Sequence, residues 1–250
     1  MRVTLASDAG TPGWPNEDFA AVAPGVAVLL DGATQVPSDA DSGCLHGVAW
    51  YARSLGTVLL AEILAGPGAP LADALAAAIA QVRALHADTC DLASPRTPCA
   101  TVTALRHGGD GIEYLALSDS TVAADLADGR EPLIITDERR AGRYRVAAAS
   151  PEAAGNSLTG TFPLAGLRGV ALLSDGAARQ VDLYGLISWP AAVALLREAG
   201  PAELIRQVRA AEASDSDCSR WPRQKAADDA TAVYWRLSAE SRPAREPGPA

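Results

Sequence analysis

The chain has 250 residues, 48% of them hydrophobic, and a formal net charge of −9. That is enough apolar material for one sizeable core or two small ones, and the scattered glycines and prolines exclude collagen-like and low-complexity classes. Lys225 is the single lysine and no basic stripe occurs, so a nucleic-acid partner is set aside, whereas an acidic balance suits the capture of cations.

The first ten residues, MRVTLASDAG, are too poor in apolar side chains for a signal peptide. Residues 19–23 and 26–31 (FAAVA and VAVLLD) read as short strands joined by Pro24-Gly25, a turn pair. A polar loop follows. Residues 46–64 place Val48, Ala52, Leu55, Leu59 and Ile63 at helical spacing. The stretch AGPGAP breaks that helix. A second one carries Leu71, Leu75, Ile79, Val82 and Leu85 on one face. Glu62, the Pro/Gly cluster and Asp73 interrupt this apolar region, so no clean membrane span and no membrane partner are expected.

From residue 99 the period changes to two. Residues 99–105, 112–119, 121–126 and 131–136 read as strands, with RHGGDG as the hairpin between the first pair. Residues 141–165 read as loop with some local helix. The strand GVALLSD (169–175) follows, then helices around 190–199 and 202–213, a polar loop, and a last strand at 228–237. One domain over 1–237 is expected, with a disordered tail at 238–250. The four cysteines, Cys44, Cys90, Cys99 and Cys218, form no CxxC pair. Their spacing argues against a zinc site and suits a reducing cytoplasm. Strand and helix blocks are segregated, which predicts an α+β fold of two packed antiparallel sheets with helices outside.

Asp31, Asp119 and Asp175 each end an apolar strand, and Asp228 precedes the last one. In antiparallel sheets the start of one strand lies beside the end of its neighbour, so all four are expected at one rim, joined by Glu17 and Asp18. Clustered carboxylates repel and resist desolvation, and cations between them relieve both costs. Hard, oxygen-preferring Mg2+ or Mn2+ is the natural choice. Gly32 and Gly176 permit close backbone approach, and Gly32 offers a carbonyl to a metal.

In order along the chain, NEDF (16–19), VLLDGA (28–33), TPCATVTAL (97–105), LALSDST (115–121), LLSDGA (172–177) and DDATAVYW (228–235) resemble the motifs of the metal-dependent protein phosphatases of the PPM (PP2C) family. The resemblance covers roughly residues 1–237 and implies the family's α-β-β-α sandwich. It implies that Asp31 bridges two metal ions, that Gly32 binds one through its carbonyl, and that Glu17 and Asp18 serve the pair. Asp175 and Asp228 would complete the first site, and Asp119 would help hold a third ion. The implied reaction is hydrolysis of phosphoserine and phosphothreonine monoesters by metal-activated water. A small phosphorylated metabolite as substrate, or a phosphatase-like regulator without turnover, are the alternatives.

The sequence departs from the pattern in places. AGTPGWPNED lacks the usual phosphate-binding arginine, Ala33 stands where members carry His or Met, Ser118 replaces a glycine, and Asp229 replaces an asparagine. His46 is a candidate proton donor or a locally packed helix-start residue. Arg53, Arg143 and Arg223 are candidate phosphate ligands or ordinary surface residues. Trp14 is a candidate cleft wall or core residue.

Overall fold

The alternating runs form strands and the Ala/Leu-rich runs form helices in the computed structural model, which describes residues 1–33, 43–94, 96–109, 111–137 and 146–238. In chain order these are β1 (Arg2–Asp8), β2 (Phe19–Ala23), β3 (Val26–Ala33), α1 (Val48–Ala65), α2 (Leu71–His86), β4 (Cys99–Gly108), β5 (Gly111–Leu117), β6 (Thr121–Leu126), β7 (Leu133–Ile135), β8 (Leu158–Pro163), β9 (Leu167–Leu173), α3 (Asp175–Asp182), α4 (Trp189–Glu198), α5 (Pro201–Ala213) and β10 (Ala230–Arg236).

The strands build two five-stranded sheets, ordered β1-β10-β9-β6-β7 and β2-β3-β4-β5-β8. Every pairing is antiparallel. Strand β3 shows how the pleat sorts its residues. Val28 and Leu30 point into a core shared with Leu55, Leu59, Leu75 and Ile79 of α1 and α2. Ala27 and Leu29 point the other way, into a core between the sheets with Val170, Leu172, Val233 and Trp235. A third core joins Ala171, Leu173, Ala232 and Tyr234 to Val193, Leu196, Leu204 and Ile205 of α4 and α5. Period two therefore generates four layers, α-β-β-α, as the block pattern predicted. Among the described residues, α1 alone is by length and composition apolar enough to cross a membrane, but its buried face covers β3 and β4.

Three elements depart from the sequence reading. β1, which was not anticipated, pairs along its whole length with β10. In the 141–165 stretch, a 3-10 turn at Pro151–Asn156 leads into β8, an edge strand beside β5 where a loop was expected. Its LTGTFP sequence has weak strand character, which an edge position tolerates. Finally, Asp175 does not close a strand but opens the short helix α3, so its backbone N–H is free to point at a neighbour. Apart from Ser238, the tail lies outside the described residues.

Candidate active site

The same pleat that sorts the core places the carboxylates. Asp31 shares its parity with Ala27 and Leu29, so its side chain lies between the sheets at the end of β3. From the opposite sheet, the Asp175 N–H donates to Asp31 Oδ2 at 3.3 Å, across 144 residues of sequence. Asp18 stands on the segment entering β2, and both of its buried oxygens lack a hydrogen-bond partner. The nearby hydroxyls also bond elsewhere, Ser174 to the Thr231 backbone and Thr231 with Ser7 at 2.6 Å.

The charges act on one another. Burial, then the Asp175 and Asp18 carboxylates, hold Asp31 well above the usual carboxylate range. Burial pushes Asp18 up to about 7, and Asp229 and Asp175 add to it against the Thr231 and Ser174 hydroxyls. Burial, Asp228 and Asp119 also raise Asp175, although its side chain keeps an open face to solvent. Asp18, Asp31, Asp119, Asp175 and Asp228 thus form one electrostatic cluster contributed by both sheets. An unbonded buried carboxylate beside a second one is a poor arrangement for a protein alone and a good one for oxygen-seeking divalent cations. The donor set fits Mg2+ or Mn2+.

Close backbone approach shapes the cradle. The Gly32 N–H donates to the Glu17 carbonyl at 3.1 Å. A Cβ on Gly32 would lie 2.5 Å from that oxygen and 2.5 Å from Val48 Cγ1, so only glycine lets the two segments meet. On Gly176 a Cβ would lie 1.9 Å from the Asp229 carbonyl. Both glycines named from the sequence are required by proximity.

Two residues that the sequence reading missed organise this rim. Asp229, named there only as replacing an asparagine, accepts from Gly10 N–H at 2.8 Å and Glu17 N–H at 2.6 Å. A carboxylate offers two acceptors where an amide offers one, so Asp229 clamps the Glu17-Asp18 segment to β10. Arg179, one helical turn after Asp175, donates to Asp228 Oδ2 at 2.6 Å and to Glu212 Oε1 at 3.1 Å. An arginine four residues after an aspartate at a helix start was the available signal. Lys225 Nζ reaches Asp228 Oδ1 at 3.1 Å.

The other candidates are dispersed. Ser118 sits at φ 72°, in the left-handed region, which accounts for the glycine found there in the resembling family; its hydroxyl donates to Asp119 Oδ1 at 3.3 Å. Arg223 is committed to the Asp215 carboxylate and to the backbone of Asp215, Trp221 and Ala226, so it pins a loop. Arg53 is exposed on α1, and Trp14, 68% exposed, is not a core residue. Arg143 lies outside the described residues. His46 stacks on Trp50 with centroids 4.0 Å apart and turns Nδ1 toward two cysteine sulfurs.

The family model described as Protein phosphatase 2C matches residues 11–211. Solved structures share the fold at low identity. PppA, a key regulatory component of T6SS in Pseudomonas aeruginosa, is 21% identical, with TM-score 0.60 over 94% of this chain and 96% of its own. The serine/threonine phosphatase Stp1 from Staphylococcus aureus is 11% identical, with TM-score 0.61 over 95% of each chain. The catalytic domain of the phosphatase PstP in complex with two manganese ions is 17% identical, with TM-score 0.58 over 94% of this chain and 97% of its own. No curated protein matches at the level of sequence.

Proposed function

From the premise that the chain belongs to the protein phosphatase 2C family, metal-dependent hydrolases of phosphoserine and phosphothreonine monoesters, we propose that Asp18, Asp31, Asp175 and Asp228 are its metal-holding residues. Glu17 and the Gly32 carbonyl complete the set, and Asp119 serves a further ion. The observation that supports this most directly is Asp18, whose two buried oxygens have no protein partner while Asp31 and Asp175 stand beside it.

Held by these residues, divalent cations would supply charge to neutralise the phosphoryl oxygens and would acidify a water for attack on phosphorus. The chain supplies the frame. The Asp175 N–H fixes one Asp31 oxygen, Asp229 fixes the Glu17-Asp18 backbone, and Arg179 with Lys225 fixes Asp228. These contacts orient the carboxylates before any ion arrives, which lowers the cost of assembling the site. Residues 9–18 hold no arginine, so that stretch does not supply the phosphate-binding arginine of the family's pattern.

Phosphorylated proteins are the substrate class that family membership implies; the small-metabolite alternative is not favoured. A regulator without turnover would have no use for a complete ligand set. The test is phosphate release from phosphoserine and phosphothreonine peptides, with sugar phosphates as the counter-panel, in Mn2+, Mg2+ or EDTA. EDTA should abolish release, and Asp31→Asn should lower it about 1,000-fold. Turnover indifferent to both would overturn the assignment.

A further inference from the structure

The cysteine spacing alone argues against zinc, but the fold assembles a donor set that no linear motif displays. Cys44 and His46 form a C-x-H turn just before α1, and His86 and Cys90 form an H-x3-C segment at the end of α2. Packing of α1 on α2 brings the two together. Cys44 Sγ lies 3.8 Å from His46 Nδ1 and 3.5 Å from His86 Nδ1, and Cys90 Sγ lies 3.5 Å from His46 Nδ1. The two sulfurs are 2.8 Å apart, and one donor atom from each residue falls within 4.8 Å of all the others.

Tetrahedral zinc, with Zn–S of about 2.3 Å and Zn–N of about 2.0–2.1 Å, has S···N edges of about 3.6 Å. The three S···N distances match that edge, and the sulfur pair needs to open by about 1 Å. We propose that Cys44, His46, His86 and Cys90 bind one structural zinc ion, separate from the carboxylate rim.

The surroundings agree with this. The Leu45 N–H donates to Cys90 Sγ at 3.3 Å and the His46 N–H to Cys44 Sγ at 3.4 Å, the pattern that stabilises metal-bound thiolates. Trp50 covers both imidazoles, with centroids 4.0 Å from His46 and 5.2 Å from His86. His86 is 2% exposed and turns its Nδ1 toward a sulfur, so a buried imidazole is presented to the thiols. A Cys44–Cys90 disulfide is the rival, but it gives neither imidazole a role. Helix α1 begins at Gly47 with no side-chain cap and no acid in its first turn. Zinc one residue before that cap would fix the helix start, and with it Val48, which faces Gly32 of the cradle. His46 is then a ligand rather than a proton donor.

The test is metal content of the full chain by mass spectrometry, followed by cobalt replacement. About one zinc per chain is expected, retained in Asp31→Asn and lost in Cys44→Ser and Cys90→Ser. Cobalt in the wild-type chain should show a thiolate charge-transfer band, which carboxylate ligands do not produce; this readout stands even if the cysteine variants fail to fold. A zinc-free chain without that band, a protein lighter by two hydrogens from a Cys44–Cys90 disulfide, or zinc lost only in Asp31→Asn would each overturn the proposal.

Discussion

The two helical layers are built from different forces. Helices α1 and α2 bury Tyr51, Leu55, Leu59, Ile63, Leu75, Ile79 and Val82 against their sheet, and His86 is the one ionisable imidazole among them. The α3–α5 layer buries charge. Glu212, 4% exposed, takes Arg179 and Arg209 together, and Asp125, also 4% exposed, takes Arg197 at 2.7 Å and the Tyr234 hydroxyl at 2.7 Å. Burying ions yields little net stability, because desolvation consumes most of the attraction. It yields geometry instead. Arg179 is bonded to a buried glutamate on one side and to Asp228 on the other, so the ionic contacts that this layer adds to its apolar core fix the rim.

That contrast can be broken first by deletion in each layer. Leu55→Ala should cost about 3 kcal/mol, equally at all pH values where the protein folds. Arg179→Met should cost about 2 kcal/mol, because Arg209 still pairs Glu212 and Lys225 still pairs Asp228. Its cost should grow as the rim ionises, whereas that of Leu55→Ala should not. Urea midpoints at two pH values measure both; equal pH dependence would erase the distinction.

The next effect is the rim's own titration. Asp18 has its folded pKa raised from 3.8 to about 7. Between those values the folded chain holds a proton that the unfolded chain has lost, so metal-free stability falls as pH rises from about 4 to about 7. Asp31 and Asp175 are raised and add in the same direction. Asp215 and Glu203, both lowered to about 2, lose their contribution only in stronger acid. Metal-free protein should melt about 5 °C higher near pH 5.5 than near pH 8, and Mn2+ should raise the melting temperature more at the higher pH. A melting temperature flat across that range would remove the carboxylate cluster as a source of strain.

The smallest effect is expected at Ser118. Ser118→Gly relieves a left-handed serine but loses its bond to Asp119, so a net gain below about 1 kcal/mol is expected. A thermal melt distinguishes this from a loss, which would make the hydroxyl the more important term.

The apolar layer was legible because a helix face repeats: Leu55, Leu59 and Ile63 announce both the helix and its buried side. The rim was legible in its aspartates, since each interrupts an apolar run. The ionic layer was not. Arg179 and Glu212 are ordinary surface types until a fold brings them together, and Asp229 looks like a neighbour of Asp228 rather than a clamp on Glu17. β1 escaped notice because it is a short edge strand whose alternation is confined to Val3 and Leu5, and Leu5 stays exposed. The Cys/His cluster escaped because its halves are about forty residues apart and only helix packing joins them.

The pairing of Arg2 with Arg236 and of Asp8 with Ala230 bears on how the protein is made. During synthesis, the first strand waits for a partner more than two hundred residues behind it, and Glu17 waits for the Asp229 that holds it. A ribosome-tethered chain that has emerged only as far as α3 has Asp31 and Asp175 but neither the clamp nor Asp228. Completion of the carboxylate rim therefore waits for the last strand, which inserts between β1 and β9.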